Sequence, residues 1–162
     1  MPKRIEIVNP YINIYDSSSY QCFGCSPHNK CALDIKFYLE ENIFYGKWQP
    51  ENRFEGYHGV VHGGIQATLM DEAASWYIYS QVGTAGVTKS MDIEYILPTR
   101  VTSNAVYIKV SEIDRDGNEV SLKTEIFHEE KVRAIANIVY FTFPDKIAKQ
   151  KYFYPGKEAF YK

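Results

Sequence analysis

One segment dominates this sequence: from Gly63 to about Gln81 stands its only convincing long helix, in a chain otherwise patterned for strands. Ile65, Leu69, Glu72 and Trp76 share one side at helical spacing, with Ala73 beside them. Ala67, Ala73, Ala74 and Ser75 keep the middle of the segment small, which permits close approach to a packed neighbour. Gly83 and Gly86 are expected to end it. Around this helix the period is 2. Leu33, Ile35, Phe37 and Leu39 alternate with polar residues or tyrosine, and the segment Phe44 to Trp48 reads as the returning strand. After the helix come segments at Met91–Tyr95, Val106–Val110, Val120–Phe127 and Arg133–Phe141, with turns at Asp116-Gly117-Asn118 and Glu129-Glu130-Lys131. One helix among that many strands predicts an α+β layout in which an antiparallel sheet wraps round a central helix.

The 162 residues suit one domain, and 45% apolar against 23% charged is ordinary globular composition. A net charge of −2 gives no electrostatic case for nucleic acid or a membrane surface. No apolar run approaches the ~18–20 residues that span a bilayer, and no apolar core follows the basic N-terminus as in a signal peptide. A cytoplasmic protein is therefore expected. Residues 1–31 read as an arm ending in a Cys/Gly loop, 32–144 as the domain proper, and 145–162 as a tail and an appendage. Cys22, Cys25, His28 and Cys31 are spaced C-x2-C-x2-H-x2-C, which tempts a zinc reading. Every gap is two residues, too short to wrap a tetrahedron, so loop cysteines without metal are expected.

The chemistry is expected where the helix begins. Gly63 and Gly64 bare the first backbone N–H groups, which lack internal partners and carry the positive end of the helix dipole. Those donors suit a developing oxyanion; the plainer alternative is a tight turn. Asp71 is an acid inside an apolar helix, where Asp is a poor helix former, and Glu72 beside it is taken as the solvent-facing one. Gly64 and Asp71 lie seven residues apart, about 10 Å at ~1.5 Å per residue. Both groups must come within ~3 Å of one carbonyl, so one helix cannot readily supply both. Two antiparallel copies can, which points to a site across a two-fold interface.

The stretch Phe54-Glu55-Gly56-Tyr57-His58-Gly59-Val60-Val61-His62-Gly63-Gly64, with Ala67-Thr68-Leu69-Met70-Asp71-Glu72-Ala73, resembles the hotdog-fold acyl-CoA thioesterases, nearer their phenylacetate-degradation (PaaI-like) branch. The resemblance extends over about residues 20–143 through Cys22-Phe23-Gly24-Cys25, Gly86-Val87-Thr88 and Pro98. It implies a hotdog domain over 32–144 that hydrolyses an acyl-CoA thioester, without cofactor or metal, as a homodimer or dimer of dimers. Asp71 would be the base or nucleophile, Gly63 would lend its N–H to the oxyanion, His62 would orient the turn, and Thr88 would place the water. Gly56 stands where some members carry a carbonyl-orienting Asn. Met70, Trp76 and Tyr77 are assigned to the acyl pocket, Lys89, Arg100 and Arg133 to the CoA phosphates, and Gly64 and Ser90 to substrate contact. Alternatives are a non-catalytic acyl-CoA-binding module and a hotdog hydratase or dehydratase.

Overall fold

The computed structural model describes residues 2–162. Seven strands form one antiparallel sheet: β1 (Arg4–Ile7), β2 (Lys36–Glu40), β3 (Ile43–Trp48), β4 (Gly86–Tyr95), β5 (Val106–Asp116), β6 (Glu119–His128) and β7 (Lys131–Thr142). Their spatial order is β1-β2-β3-β5-β6-β7-β4, so β4 is an outer strand although it falls mid-sequence. Three α-helices, the short α1 (Tyr11–Ile14) and α3 (Asp145–Tyr152) and the long α2 (Gly63–Tyr77), complete the frame, and α2 lies against β3, β4, β5, β6 and β7.

The alternation of the strands explains why the sheet holds this helix. On β7 the inward residues are Ala134, Ala136, Ile138 and Tyr140; on β6 they are Val120, Leu122, Thr124 and Ile126, all buried. The pair of alanines on β7 leaves room for the helix, whose Leu69, Met70, Ala73 and Ala74 are fully buried against the sheet. Hairpin chemistry sets the register. Glu41 and Asn42, and again Glu129 and Glu130, take positive φ, the paired left-handed geometry of a two-residue turn that follows strand twist. Gly117 at φ +57 does the same for β5 and β6.

Three details depart from the sequence expectations. The strand expected from Leu33 begins only at Lys36, because Asp34 sits at φ +57 and breaks the extended run. Helix α2 passes into a wider turn over Ile78–Val82 and stops at Gly83, at φ +90. Gly86 does not end the helix; it opens β4, where a Cβ would lie 2.9 Å from the Phe141 carbonyl oxygen.

The two chain ends also do more than an arm and an appendage would. β1 pairs with β2, and the tail sends Ala148, Tyr154 and Phe160 into the core. Phe160 is fully buried among Tyr11, Trp76 and Tyr79, with ring centroids 6.0, 5.7 and 5.6 Å away. The Phe160 carbonyl accepts from the Val8 N–H at 2.9 Å, and the Tyr161 hydroxyl donates to the Ser80 carbonyl at 2.9 Å. Arm, tail and the C-terminal end of α2 therefore form one aromatic cluster. Removing its centre by Phe160→Ala should cost about 3–5 kcal/mol, read as a lower denaturation midpoint in urea.

Candidate active site

Asp71 faces β4 and β7, half-buried. Its Oδ1 accepts from the Thr88 hydroxyl at 2.7 Å and from the Tyr140 hydroxyl at 2.8 Å; the latter also lies 2.8 Å from the Asp71 backbone oxygen. The local cause is a β-bulge. Thr88 pairs with Tyr140, but the next register partners are Ser90 and Val139, so Lys89 is the extra residue. With Thr88 directly opposite Tyr140, both hydroxyls rise on one face towards the helix. Burial, and then the charge of Asp71, push the Tyr140 hydroxyl far above the usual phenol range, so it stays a donor. No described residue is hydrogen-bonded to Oδ2. One oxygen of the carboxylate is thus anchored and the other left open.

The start of α2 is arranged separately. The His62 ring caps its own helix: Nδ1 accepts from the Gly64 N–H at 2.9 Å. Glycine at 64 gives that bond room, since a Cβ there would stand 3.1 Å from Nδ1, tighter than ordinary contact. The Gly64 N–H, assigned from sequence to substrate, is therefore already engaged within the chain. The Gly63 N–H has no acceptor among the described residues, while the Gly63 carbonyl accepts from the Tyr95 hydroxyl at 2.7 Å. A groove of about 600 Å3 opens here, walled by His62, Gly63 and Gln66 on one side and by Tyr95, Ile96 and Leu97 on the other. Gln66 is buried; its Oε1 accepts from Thr99 at 2.8 Å and its Nε2 donates to the Val61 carbonyl at 3.1 Å, which stiffens the floor. Gly56 also lines the groove and lies close to His62. Asp71 is not part of its lining.

The remaining assigned residues fall unevenly. Met70 and Trp76 are core residues, and Trp76 spends its N–H on Glu72 at 3.0 Å. Tyr77 is half-buried edge-on to Phe44. Lys89 is ion-paired with Glu119. Arg133 is a structural residue: buried, it donates to the carbonyls of His128 and Pro98, both at 3.0 Å, which removes it from the phosphate contacts. Ser90 is exposed just after the bulge, and Arg100 is exposed opposite Val60 at the groove's rim. Glu72 does not face open solvent; it lies beneath the cysteine loop. Sequence reasoning missed Tyr140, Tyr95 and Gln66. The inward register of Tyr140 on β7 was the one available signal, but nothing along the chain marks its partner.

A sheet wrapped round one long helix, with a carboxylate on the helix and the unbonded Gly63 amide at its start, defines a hotdog domain. The thioesterase superfamily model matches residues 58–135, just under half of the chain. Among solved structures, the E. coli PaaI protein of the phenylacetic acid degradation operon aligns with a TM-score of 0.63 and 18% identity, over 70% of this chain and 82% of that one. A hypothetical thioesterase from Streptococcus pneumoniae, solved with coenzyme A, aligns at 0.59 and 20%, over 64% and 82%. A further thioesterase superfamily protein aligns at 0.67 and 19%, over 75% of this chain and 60% of its own. The yeast protein FMP10, named as an uncharacterized mitochondrial membrane protein, is 28% identical over 86 residues. The chain spans only 35% of that protein's length. Among the described residues no helix is long and apolar enough to cross a membrane.

The cap makes a simple prediction. His62→Ala should lower stability by about 1 kcal/mol, as loss of other side-chain caps does, and should speed hydrogen exchange at the Gly64 amide.

Proposed function

We propose that the protein hydrolyses acyl-CoA thioesters as a homodimer whose sites each combine Asp71 of one subunit with the Gly63 N–H of the other. The observation that carries this reading is the carboxylate of Asp71, oriented through Oδ1 by Thr88 and Tyr140 with Oδ2 open. A thioester is an activated acyl donor, so one aimed base or nucleophile and one or two N–H donors suffice to cleave it. The match to the thioesterase superfamily model and the coenzyme A bound to the pneumococcal neighbour support the same substrate class.

Geometry favours two copies. Within one chain Gly63 and Asp71 are eight residues apart on α2, about 12 Å along the axis at ~1.5 Å per residue. β4 is bonded only to β7, so its other edge is unpaired among the described strands over ten residues. Antiparallel pairing of two such edges about Met91 and Asp92 sets Thr88 of one subunit opposite Tyr95 of its partner. Since Thr88 holds Asp71 and Tyr95 holds Gly63, that pairing brings the carboxylate of one subunit to the groove of the other. The exposed Tyr57, Tyr95, Ile96 and Leu97 give each groove an apolar lip, and Arg100 at the rim is the cation assigned to the CoA phosphates. Ser90 lies on the same edge for contact with the bound thioester.

A panel of acyl-CoAs with free-thiol detection tests the reaction. Asp71→Asn should lower kcat by roughly 10²–10⁴-fold while acyl-CoA binding persists; unchanged turnover would remove Asp71 from the mechanism. Mixing Asp71→Asn with Gly63→Val subunits should restore about a quarter of wild-type activity, because half the dimers are mixed and each holds one intact site. No recovery despite proven subunit exchange would place both groups within one chain.

A further inference from the structure

The cysteine loop lies against the side of α2 that Asp71 does not use. Cys22 Sγ and Cys25 Sγ are 3.0 Å apart, and Cys22 Sγ lies 3.5 Å from Glu72 Oε1. Ligand atoms from all three residues fall within 4.8 Å of one another, half-buried. Glu72 is held in place by the Trp76 N–H at 3.0 Å, and the Tyr20 hydroxyl lies 3.2 Å from Cys25 Sγ. The loop is fitted to the carboxylate: a Cβ on Gly24 would stand 2.3 Å from Glu72 Cδ, so only glycine lets the loop close this far. His28 and Cys31, which the spacing offered as ligands, are exposed and outside the cluster.

We infer that Cys22, Cys25 and Glu72 form a site for a zinc-type divalent cation that clamps the N-terminal arm to the central helix. The charge balance argues for it. Glu72 forms no ion pair among the described residues, so a half-buried carboxylate beside two thiols lacks a positive partner. A dication neutralises it, and two sulfurs with one carboxylate select zinc over magnesium or calcium. The objection that two-residue gaps cannot wrap a tetrahedron falls away, because the third ligand comes from a helix fifty residues further on. The Cys25 thiol is placed to donate to Cys22 Sγ, so the two sulfurs already face one another across the proposed site. Binding as two thiolates releases both thiol protons and opens the sulfurs from 3.0 Å to about 3.8 Å, the span across a tetrahedral ion with ~2.3 Å bonds. The fourth position faces a cavity of about 480 Å3 edged by Tyr20, Ser75 and Tyr79, open to water or a small ligand.

The test is metal binding by the full chain, reduced, stripped with chelator and titrated with zinc or cobalt. One ion per chain should survive dialysis, cobalt should give a thiolate charge-transfer band, and zinc should raise Tm reversibly. Cys22→Ser and Glu72→Gln should lose the retained ion while keeping wild-type circular dichroism, and Cys31→Ser should retain it. Should Cys22→Ser fail to fold, the wild-type chain still decides: zinc should shield Cys22 and Cys25, but not Cys31, from alkylation. Reduced protein that retains no zinc, ion retention that survives Cys22→Ser, or equal alkylation of all three cysteines with and without zinc would each overturn the assignment.

Discussion

The seating of α2 on the alanines and aliphatic residues of β5, β6 and β7 is the constraint on which the rest depends. Leu69, Met70, Ala73 and Ala74 make that contact, and none of them retains any exposure. Full burial of each larger side chain stabilises the fold by roughly 1.5–3 kcal/mol, and it also fixes the rotation of the helix about its axis. Rotation is what matters for chemistry. Once four buried positions are set, the direction of every other residue on α2 is set with them, at ~100° per residue. Asp71 then has to look at β4 and β7, and Glu72 at the arm.

Thr88 and Tyr140 turn that direction into an oriented carboxylate. Their hydroxyls reach Asp71 only because a bulge at Lys89 shifts the β4 register by one residue before Ser90. Without the extra residue, alternation would carry the residues on one side of Lys89 to the opposite face of the strand. The bulge also has a cost, since it leaves one residue unpaired on a strand bonded along only one edge. Register also shifts between Glu112 and Asp114 on β5 and between Ile126 and Phe127 on β6, but the shift at Lys89 is the one that lies beside Asp71 and sets its aim.

The sequence carried the fold because its signals are local. Period-2 runs, two-residue turns and one small-residue helix are each readable within about ten residues, and together they leave few ways to cover one apolar helix. The same locality limited the site. His62, Gly63, Gly64 and Asp71 sit within one turn and one helix, so their relation could be argued from rise per residue. Tyr140 reaches Asp71 across a sequence separation of 69 residues, and Tyr95 reaches Gly63 across 32. Nothing in spacing encodes such pairs. Arg133 went astray for a related reason: a basic residue looks alike in sequence whether it meets solvent or, as here, two backbone carbonyls. The tail misled because its lysines mark exposed positions on α3, while the residues that bury, Tyr154 and Phe160, follow outside any periodic run.

Two neighbouring acids on one helix thus end in unlike surroundings. Asp71 meets hydroxyl donors, which hold its carboxylate in one orientation through Oδ1 and leave Oδ2 accessible. Glu72 meets an indole N–H and two thiols, a set that offers little positive charge yet supplies soft ligand atoms. The first environment suits proton transfer or nucleophilic attack, and the second suits a cation. Because the two side chains diverge from adjacent positions of a rigid helix, a change that loosens the arm at Glu72 acts on the same helical turn that aims Asp71. The arm therefore packs on the same helical turn that carries Asp71, although it contributes no residue to the candidate site.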